Sequence, residues 1–260
     1  VLDELALLEN LSADVVQGHS FLATPRPATQ LRDVNRGRGN FGDSFFTAPN
    51  PPRGAILDFW VGDDAGGDSV AIDILDGEGD VLRRVHEGQA ERGAHRAVWD
   101  LRYEAPPSDS ESSWRKPLGR FALPGTYRVR LTAGNVVHEQ ELLVKQDPAL
   151  DVPRRERRER EETLALQAQL LSATYHAGKA LDAAVEQTKA LGETLEEGAS
   201  TALREEADAV ADAAGRLHVA IRGEELGTAQ QETYLPLDDL TLRLYMTTES
   251  WSGAPSPEQK

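Results

Sequence analysis

The period of the apolar residues changes near residue 148, and this change constrains the fold more than any other feature of the sequence. Before it, apolar and polar residues alternate in short runs, as at Val70, Ile72 and Ile74, which is the period of half-buried strands. After it, apolar residues recur every three or four positions over long stretches, which is the period of a helix face. The chain is therefore predicted to be a β region followed by an α region.

Four segments follow from this change. Residues 1–53 are rich in Pro and Gly and are expected to form an extended arm. Residues 54–147 are predicted to be an antiparallel β-sandwich of the immunoglobulin or fibronectin kind, because about six or seven short strands with turns between them fit there. The polar stretch 104–116 is expected to be a surface loop. Residues 148–250 are predicted to be an antiparallel helical bundle, with residues 251–260 as a tail.

The clearest helical pattern lies in the second of three predicted helices. Its apolar residues are alternately four and three positions apart, which is the spacing of a heptad seam. The seam residues are Leu203, Ala207, Val210, Ala214, Leu217 and Ile221. An intramolecular bundle explains the seam without a partner and is the favoured interpretation, and oligomerisation is the alternative.

The composition excludes several classes of function. The chain carries 44 acidic and 28 basic residues, a net charge of −16, which disfavours a nucleic-acid partner because no basic face is expected. It has no cysteine, which excludes disulfides, thiolate nucleophiles and cysteine-bound zinc. It has no apolar run of about 18 residues, so no membrane-spanning helix is predicted.

No motif for catalysis or cofactor binding is present. The six histidines occur in neither HxH nor HExxH spacing, and the sequence has no GxSxG nucleophile elbow and no phosphate-binding loop. We therefore predict no catalytic residue, no metal site and no cofactor in this chain.

Two groups of acidic residues offer alternatives to this prediction. The segment 76–80 places carboxylates at alternate positions, as a calcium loop does, but Val81 stands where that loop needs a glycine, so a hairpin turn is favoured. The second group consists of Asp58, Asp63, Asp64 and Asp68. Paired carboxylates can cleave a glycosidic bond, but a solvated loop is the favoured interpretation of this group.

Two tryptophans are candidate ligand-binding residues, because aromatic faces pack on sugar rings. Trp114 lies in the polar stretch, where it is expected to be exposed. Trp60 lies beside the inward-facing residues of its strand and is the second candidate. Trp99 follows the strand alternation and is assigned to the core.

Three motifs together resemble a known protein family. They are the stretches 50–55 (Asn-Pro-Pro-Arg-Gly-Ala), 99–102 (Trp-Asp-Leu-Arg) and 124–127 (Pro-Gly-Thr-Tyr). In this order they resemble the C-terminal region of bacterial sortilin-like proteins with BNR-repeat β-propellers, which are often labelled glycosyl hydrolases. In that family an immunoglobulin-like domain is followed by a helical tail, and the resemblance covers nearly all of the chain.

The resemblance implies that this chain is the non-propeller end of a longer, exported protein, located outside the cell, in the periplasm or at the cell surface. The first residue is Val, which also predicts a processed product or a fragment. The implied partners are the upstream β-propeller domains and another protein or a polysaccharide. The implied function is that of a non-catalytic accessory or interaction module. Two alternatives are a contribution to polysaccharide binding in a carbohydrate-active protein and a component of a cell-surface assembly.

Overall fold

The computed structural model describes residues 6–9, 18–31, 52–67, 69–89, 91–110, 116–194, 201–223 and 236–260. The chain divides into two compact units. The β unit consists of Val1–Glu104 and Phe121–Asp151, and the helical unit consists of Ala105–Arg120 and Val152–Lys260. The stretch Ala105–Arg120, called the insert below, therefore belongs to the helical unit, although it lies between two strands in the sequence.

The strands of the β unit form two sheets. In the described residues they are β1 (Phe21–Leu22), β2 (Ala28–Gln30), β3 (Ala55–Val61), β4 (Ser69–Leu75), β5 (Val81–Gln89), β6 (Gly93–Trp99), β7 (Gly125–Ala133) and β8 (Val136–Gln146). A three-stranded sheet has the order β1-β3-β6, and a five-stranded sheet has the order β2-β8-β7-β4-β5. The predicted positions of the six longer strands, β3 to β8, are confirmed.

One apolar core is built from residues of both sheets. Its largest fully buried side chains include Trp99, Phe59, Leu57, Ile72, Ile74, Leu131 and Leu142. Trp99 also donates its indole N–H to the Arg102 carbonyl at 2.8 Å and packs edge-on against the ring of Tyr127. Since burying each such side chain contributes about 1.5–3 kcal/mol, this core is the main source of stability in the β unit.

The N-terminal segment is joined to both sheets. β1 pairs antiparallel with β3, and β2 pairs parallel with β8. The Ser20 hydroxyl donates to Asp64 Oδ1 at 2.5 Å and accepts the Gly62 N–H at 3.0 Å. Although burial opposes its charge, the hydrogen bonds from Ser20 hold the pKa of Asp64 below its ordinary value. Residues 18–31, which lie inside the segment expected to be an arm, are thus built into the β unit.

The helical unit contains three long helices at the predicted places. They are α1 (Arg154–Thr194), α2 (Thr201–Arg222) and α3 (Leu237–Ser250). The core of this unit consists of Leu164, Leu171 and Tyr245, so it lies between α1 and α3. The Tyr245 hydroxyl donates to the Leu118 carbonyl at 2.6 Å, which fixes the insert to α3. None of the helices in the described ranges combines the length and the apolar character that crossing a bilayer requires.

The predicted fold class is wrong. In the described residues the chain is a mixed α/β fold with two sheets and three long helices, and not an immunoglobulin-like sandwich followed by a helical bundle. One of the two sheets curls into a half-barrel. The register of β4 against β5 shifts twice, as it does at bulges, which bend a strand. In α2 only Ala214 is buried, so no common core covers the whole predicted seam. Alternation of apolar residues locates strands, but it does not fix how they pair or how a sheet curls.

A substitution at Gly62 tests the attachment of the N-terminal segment, because backbone atoms of that segment lie very close to Gly62. A Cβ atom at this position would lie 2.3 Å from the Gly18 carbonyl oxygen and 2.6 Å from the His19 carbonyl carbon. We expect Gly62→Ala to lower the free energy of unfolding by roughly 1–3 kcal/mol, because backbone atoms must move apart. Gly77→Ala is the control, since no atom lies within 4 Å of its added Cβ. Equal denaturant midpoints for the two variants would contradict the close approach.

Candidate functional site

Asp109 holds the insert to α1. Its carboxylate accepts a hydrogen bond from the Tyr175 hydroxyl at 2.9 Å and pairs with Lys179 Nζ at 2.9 Å. Tyr175 and Lys179 are four residues apart on α1, so their side chains lie on one face of that helix. Both groups therefore reach one carboxylate, and the insert is anchored by an ion pair and by a hydrogen bond from an uncharged donor.

Arg222 connects the insert, α1 and α3 from the end of α2. Its guanidinium lies 3.5 Å from Asp109 in the insert, 3.1 Å from Asp182 on α1 and 3.5 Å from Asp238 in the first turn of α3. Only 19% of its side chain is exposed, and it lies over Gly178, where an added Cβ would stand 2.6 Å from Nε. A planar guanidinium with five N–H donors suits such a position. Arg222 and its three carboxylates are called the Arg222 cluster below.

A cavity of about 660 Å³ opens beside the Arg222 cluster. The insert, α1 and α3 line most of it, with Leu171 and Leu242 on its apolar side. At its polar rim Asp239 pairs with Arg243 at 2.9 Å. No histidine is among the described lining residues, so they do not provide the Ser–His pair of a hydrolase. The charged side chains that line the cavity form ion pairs with one another.

The charged partners around Asp109 shift one another's pKa values. The hydrogen bond from Lys179 holds the pKa of Asp109 below its ordinary value. The hydrogen bond to Asp109 raises the pKa of the Tyr175 phenol and also that of the Lys179 ammonium. Asp109 thus stabilises the fold above the ordinary carboxylate pKa and loses this contribution as the pH falls through its lowered pKa. Tyr175 and Lys179 contribute below their ordinary pKa values and lose the contribution as the pH rises through the raised ones.

The side of α2 that faces α1 is fixed by polar contacts. His218 Nε2 lies 2.9 Å from Asp182 Oδ1, and the Arg222 guanidinium binds the other oxygen of the same carboxylate at 3.1 Å. His218 and Arg222 are four residues apart and share one side of the helix. These contacts set the rotation of α2 about its own axis.

Part of the apolar seam of α2 is exposed to solvent. Leu203, Val210 and Leu217 are 49%, 57% and 57% exposed, whereas Ala214 is 8% exposed. The three exposed seam residues are seven positions apart and therefore form one stripe along the helix. The three residues Leu203, Val210 and Leu217 are called the α2 face below.

The segment 76–80 forms the predicted turn between β4 and β5. Asp76 Oδ1 accepts the backbone N–H groups of Glu78, Gly79 and Asp80, each at 2.9 Å. The carboxylates of Asp76, Glu78 and Asp80 have oxygens within 4.8 Å of one another, but the Asp76 oxygen is taken up by the turn itself. The hairpin interpretation is confirmed.

The second acidic group is held by separate partners. These are Arg96 for Asp58, Arg92 for Asp63 and Ser20 for Asp64. Asp58 is 6% exposed and accepts two hydrogen bonds from Arg96 on β6, at 2.7 and 3.0 Å. Asp68 lies outside the described residues. In the described residues these carboxylates support strand pairing and a turn.

The candidate ligand-binding tryptophans are placed differently. Trp114 lies outside the described residues. Trp60 is half-buried on β3, paired in register with Phe21 of β1, and its buried indole N–H has no hydrogen-bond partner among the described residues. Trp99 is fully buried in the core, as assigned from the sequence. A ligand-binding role for Trp60 and Trp114 stays a prediction.

The sequence gives no signal for the Arg222 cluster. Its members come from the insert, α1, α2 and α3, and no two of them have a recognisable spacing. The only local signal is the pair Tyr175 and Lys179 on one helix face. The heptad seam of α2 can be recognised in the sequence, but the sequence does not show which of its residues are exposed.

Arg222 should matter more to stability than any rim arginine of the cavity. We expect Arg222→Ala to lower the free energy of unfolding by roughly 1–3 kcal/mol, because three carboxylates lose a shared, largely buried partner. Arg243→Ala is the matched control, since its side chain is 63% exposed and pairs with Asp239 four residues away, and it should cost about 0.5 kcal/mol or less. Denaturant unfolding followed by helical ellipticity measures both. A loss for Arg222→Ala no larger than for the control would contradict the role of the cluster.

The pKa of Tyr175 reports directly on Asp109. We expect Asp109→Asn to bring this pKa down toward its ordinary value, because the amide has no charge to disfavour the phenolate. NMR titration of selectively labelled tyrosine, with Tyr175→Phe to assign its signal, measures the change. Asp239→Asn is the control, since Asp239 pairs with Arg243, and it should leave the titration unchanged. An unaltered Tyr175 titration in Asp109→Asn would contradict the hydrogen bond.

The helical unit thus presents two chemically distinct surfaces: a cavity whose charges are mutually paired, and an apolar helix face. The first can stabilise the unit, and the second can bind another apolar surface. No protein-family model matches the chain, and no curated protein matches it.

Proposed function

We propose that this chain is a non-catalytic interaction module that binds protein through the α2 face, and that it does so as part of a larger, exported β-propeller protein. The observation that carries the proposal is the exposure of Leu203, Val210 and Leu217 on a helix whose seam spacing is that of a helix-pairing surface.

The exposed apolar surface is sufficient for a contact of low affinity. Full burial of a leucine or valine contributes about 1.5–3 kcal/mol, so covering the exposed half of three such side chains contributes roughly 2–4 kcal/mol. A contact of this size is reversible, as suits a module that docks on another protein.

The polar groups of the described residues support the non-catalytic part of the proposal. The Arg222 cluster and the pairs Asp58–Arg96 and Asp73–Arg84 neutralise charges within the fold. Catalysis by acids and bases needs ionisable groups that are free to exchange protons with a substrate. Groups engaged in ion pairs of this kind are better suited to holding the fold together.

The sequence motifs support the β-propeller part of the proposal. The stretches 50–55, 99–102 and 124–127, in this order, resemble motifs of sortilin-like propeller proteins. The Trp99–Arg102 stretch has a structural role, because Trp99 is fully buried and its indole binds the carbonyl of Arg102. An exported propeller protein would carry its ligand-binding centre elsewhere and use this chain for contacts.

Photo-crosslinking in the native cell tests the proposal. Benzoylphenylalanine at position 217 should yield a covalent protein adduct on irradiation, because the α2 face is covered by a partner. The control position is 137, since Val137 is 56% exposed on β8 of the β unit, and it should give little adduct. Mass spectrometry identifies the crosslinked peptide. The same low yield at both positions would contradict a partner on the α2 face.

A further inference from the structure

We propose that the cavity beside the Arg222 cluster binds a small zwitterionic molecule with an apolar body, that is, a free apolar amino acid or a dipeptide. The site goes beyond the proposed function, since none of its described lining residues belongs to the α2 face. The proposal is carried by the size and walls of the cavity, by hydrogen-bonding groups that its ion pairs leave unused, and by the balance of its charges.

The cavity has the size and the walls of a small-ligand site. Its volume of about 660 Å³ falls within the roughly 300–1,000 Å³ of such sites. Three prolines and two leucines form its aliphatic lining: Pro107, Pro117, Pro236, Leu171 and Leu242. Their side chains offer a ligand no hydrogen bond, but they shield an apolar group from water. The described lining residues therefore favour a ligand with an apolar body.

Arg222, which lines the cavity, has N–H donors that its ion pairs do not use. A guanidinium carries five such donors. In the described part of the chain its hydrogen-bonded carboxylate is that of Asp182, at 3.1 Å. The carboxylates of Asp109 and Asp238 lie 3.5 Å away, which is beyond the usual length of a hydrogen bond. Because the side chain is only 19% exposed, bulk water reaches few of the remaining donors, and a ligand carboxylate can accept from them.

Arg243 supplies further donors at the rim of the cavity. Its Nε pairs with Asp239 at 2.9 Å, and its two terminal nitrogens have no partner among the described residues. A carboxylate can accept two parallel hydrogen bonds from one guanidinium. Two arginines of the lining therefore offer a ligand carboxylate charge-assisted hydrogen bonds.

Asp238 supplies an acceptor for a ligand ammonium group. Its Oδ1 accepts the Asp239 N–H at 2.7 Å, and its Oδ2 has only the distant contact with Arg222. An ionised carboxylate has about four acceptor positions, so Asp238 keeps acceptor capacity beside the cavity. An ammonium group is a donor only and suits such an oxygen. The lining thus has unused hydrogen-bonding groups of both kinds.

The charges of the cavity favour a ligand without net charge. Its described lining carries three carboxylates and two guanidinium groups, and Lys179 pairs with one of the carboxylates, that of Asp109. The lining is therefore close to neutral, whereas the chain as a whole carries −16 and repels anions. A simple cation would leave the arginine donors unused. A zwitterion meets groups of both signs and brings no net charge into the field of the protein.

Isothermal titration calorimetry of the full chain tests the chemical class of the ligand. Free leucine and the dipeptide Leu-Leu are the probes, and saturable binding of at least one of them at millimolar concentration or below is expected. The N-acetylated form of the bound probe lacks the ammonium group, and its C-amidated form lacks the carboxylate. Each should bind roughly tenfold more weakly, because one charge-assisted contact is lost.

A substitution at the rim tests the place of binding. Arg243→Ala should weaken binding of the same probe by roughly fivefold, because the ligand carboxylate loses a donor pair. The variant should stay folded, since the Arg243 side chain is 63% exposed. Arg158→Ala is the matched control, because it removes an exposed arginine of α1 that does not line the cavity, and it should leave the affinity unchanged. Circular dichroism checks that both variants keep their helices.

Three results would overturn the inference. The first is a folded chain that binds neither leucine nor Leu-Leu at millimolar concentration. The second is equal affinity for the bound probe and its two blocked forms, which would exclude recognition of a zwitterion. The third is equal affinity in Arg243→Ala and Arg158→Ala, which would place the ligand elsewhere. None of these measurements involves the α2 face, so the proposed function is tested separately by the crosslinking at position 217.

Discussion

The arrangement of the helical unit depends on one guanidinium group. Arg222 ends α2, and it binds carboxylates from the insert, α1 and α3 at 3.1–3.5 Å. A rigid planar cation imposes directions on its partners that a lysine would not. Together with His218, it fixes which side of α2 is turned toward α1. With α2 in this orientation, Leu203, Val210 and Leu217 lie on its exposed side.

The division of the heptad seam follows from the same constraint. Of its six residues, Ala214 is buried and Ala207 and Ile221 are partly buried, whereas the other three are exposed. Ala207, Ala214 and Ile221 thus form the more buried edge of the seam, and Leu203, Val210 and Leu217 form the exposed edge. A single helix can contact one neighbour with one edge of its apolar surface and keep the other edge for another neighbour. This division separates the part of the seam that stabilises the chain from the part available for binding.

The sequence predicted the elements better than their assembly. The strands from β3 to β8 and the three helices lie where apolar periodicity placed them, because periodicity reflects which residues face a core. The short strands β1 and β2 were not predicted, because two or three residues in a proline-rich segment show no period. The prediction of a sandwich was wrong, because the pairing order of the strands and the curl of a sheet depend on contacts between strands that are distant in the sequence. The Arg222 cluster was missed for a related reason: its charges meet only when separate segments pack together.

The insert has a consequence for how the chain folds. Its residues are hydrogen-bonded to partners far along the sequence, Asp109 to Tyr175, 66 residues away, and Leu118 to Tyr245, 127 residues away. Loops of this length close slowly, because the entropy of closure must be lost before the contacts form. We expect the hairpin of α1 and α2 to form early and the insert to dock late. A truncated chain that starts at residue 148 would contain α1, α2 and α3. It would lack the insert, which is hydrogen-bonded to α1 and α3. The boundary between strand and helix in the sequence is therefore not the boundary at which the protein can be cut.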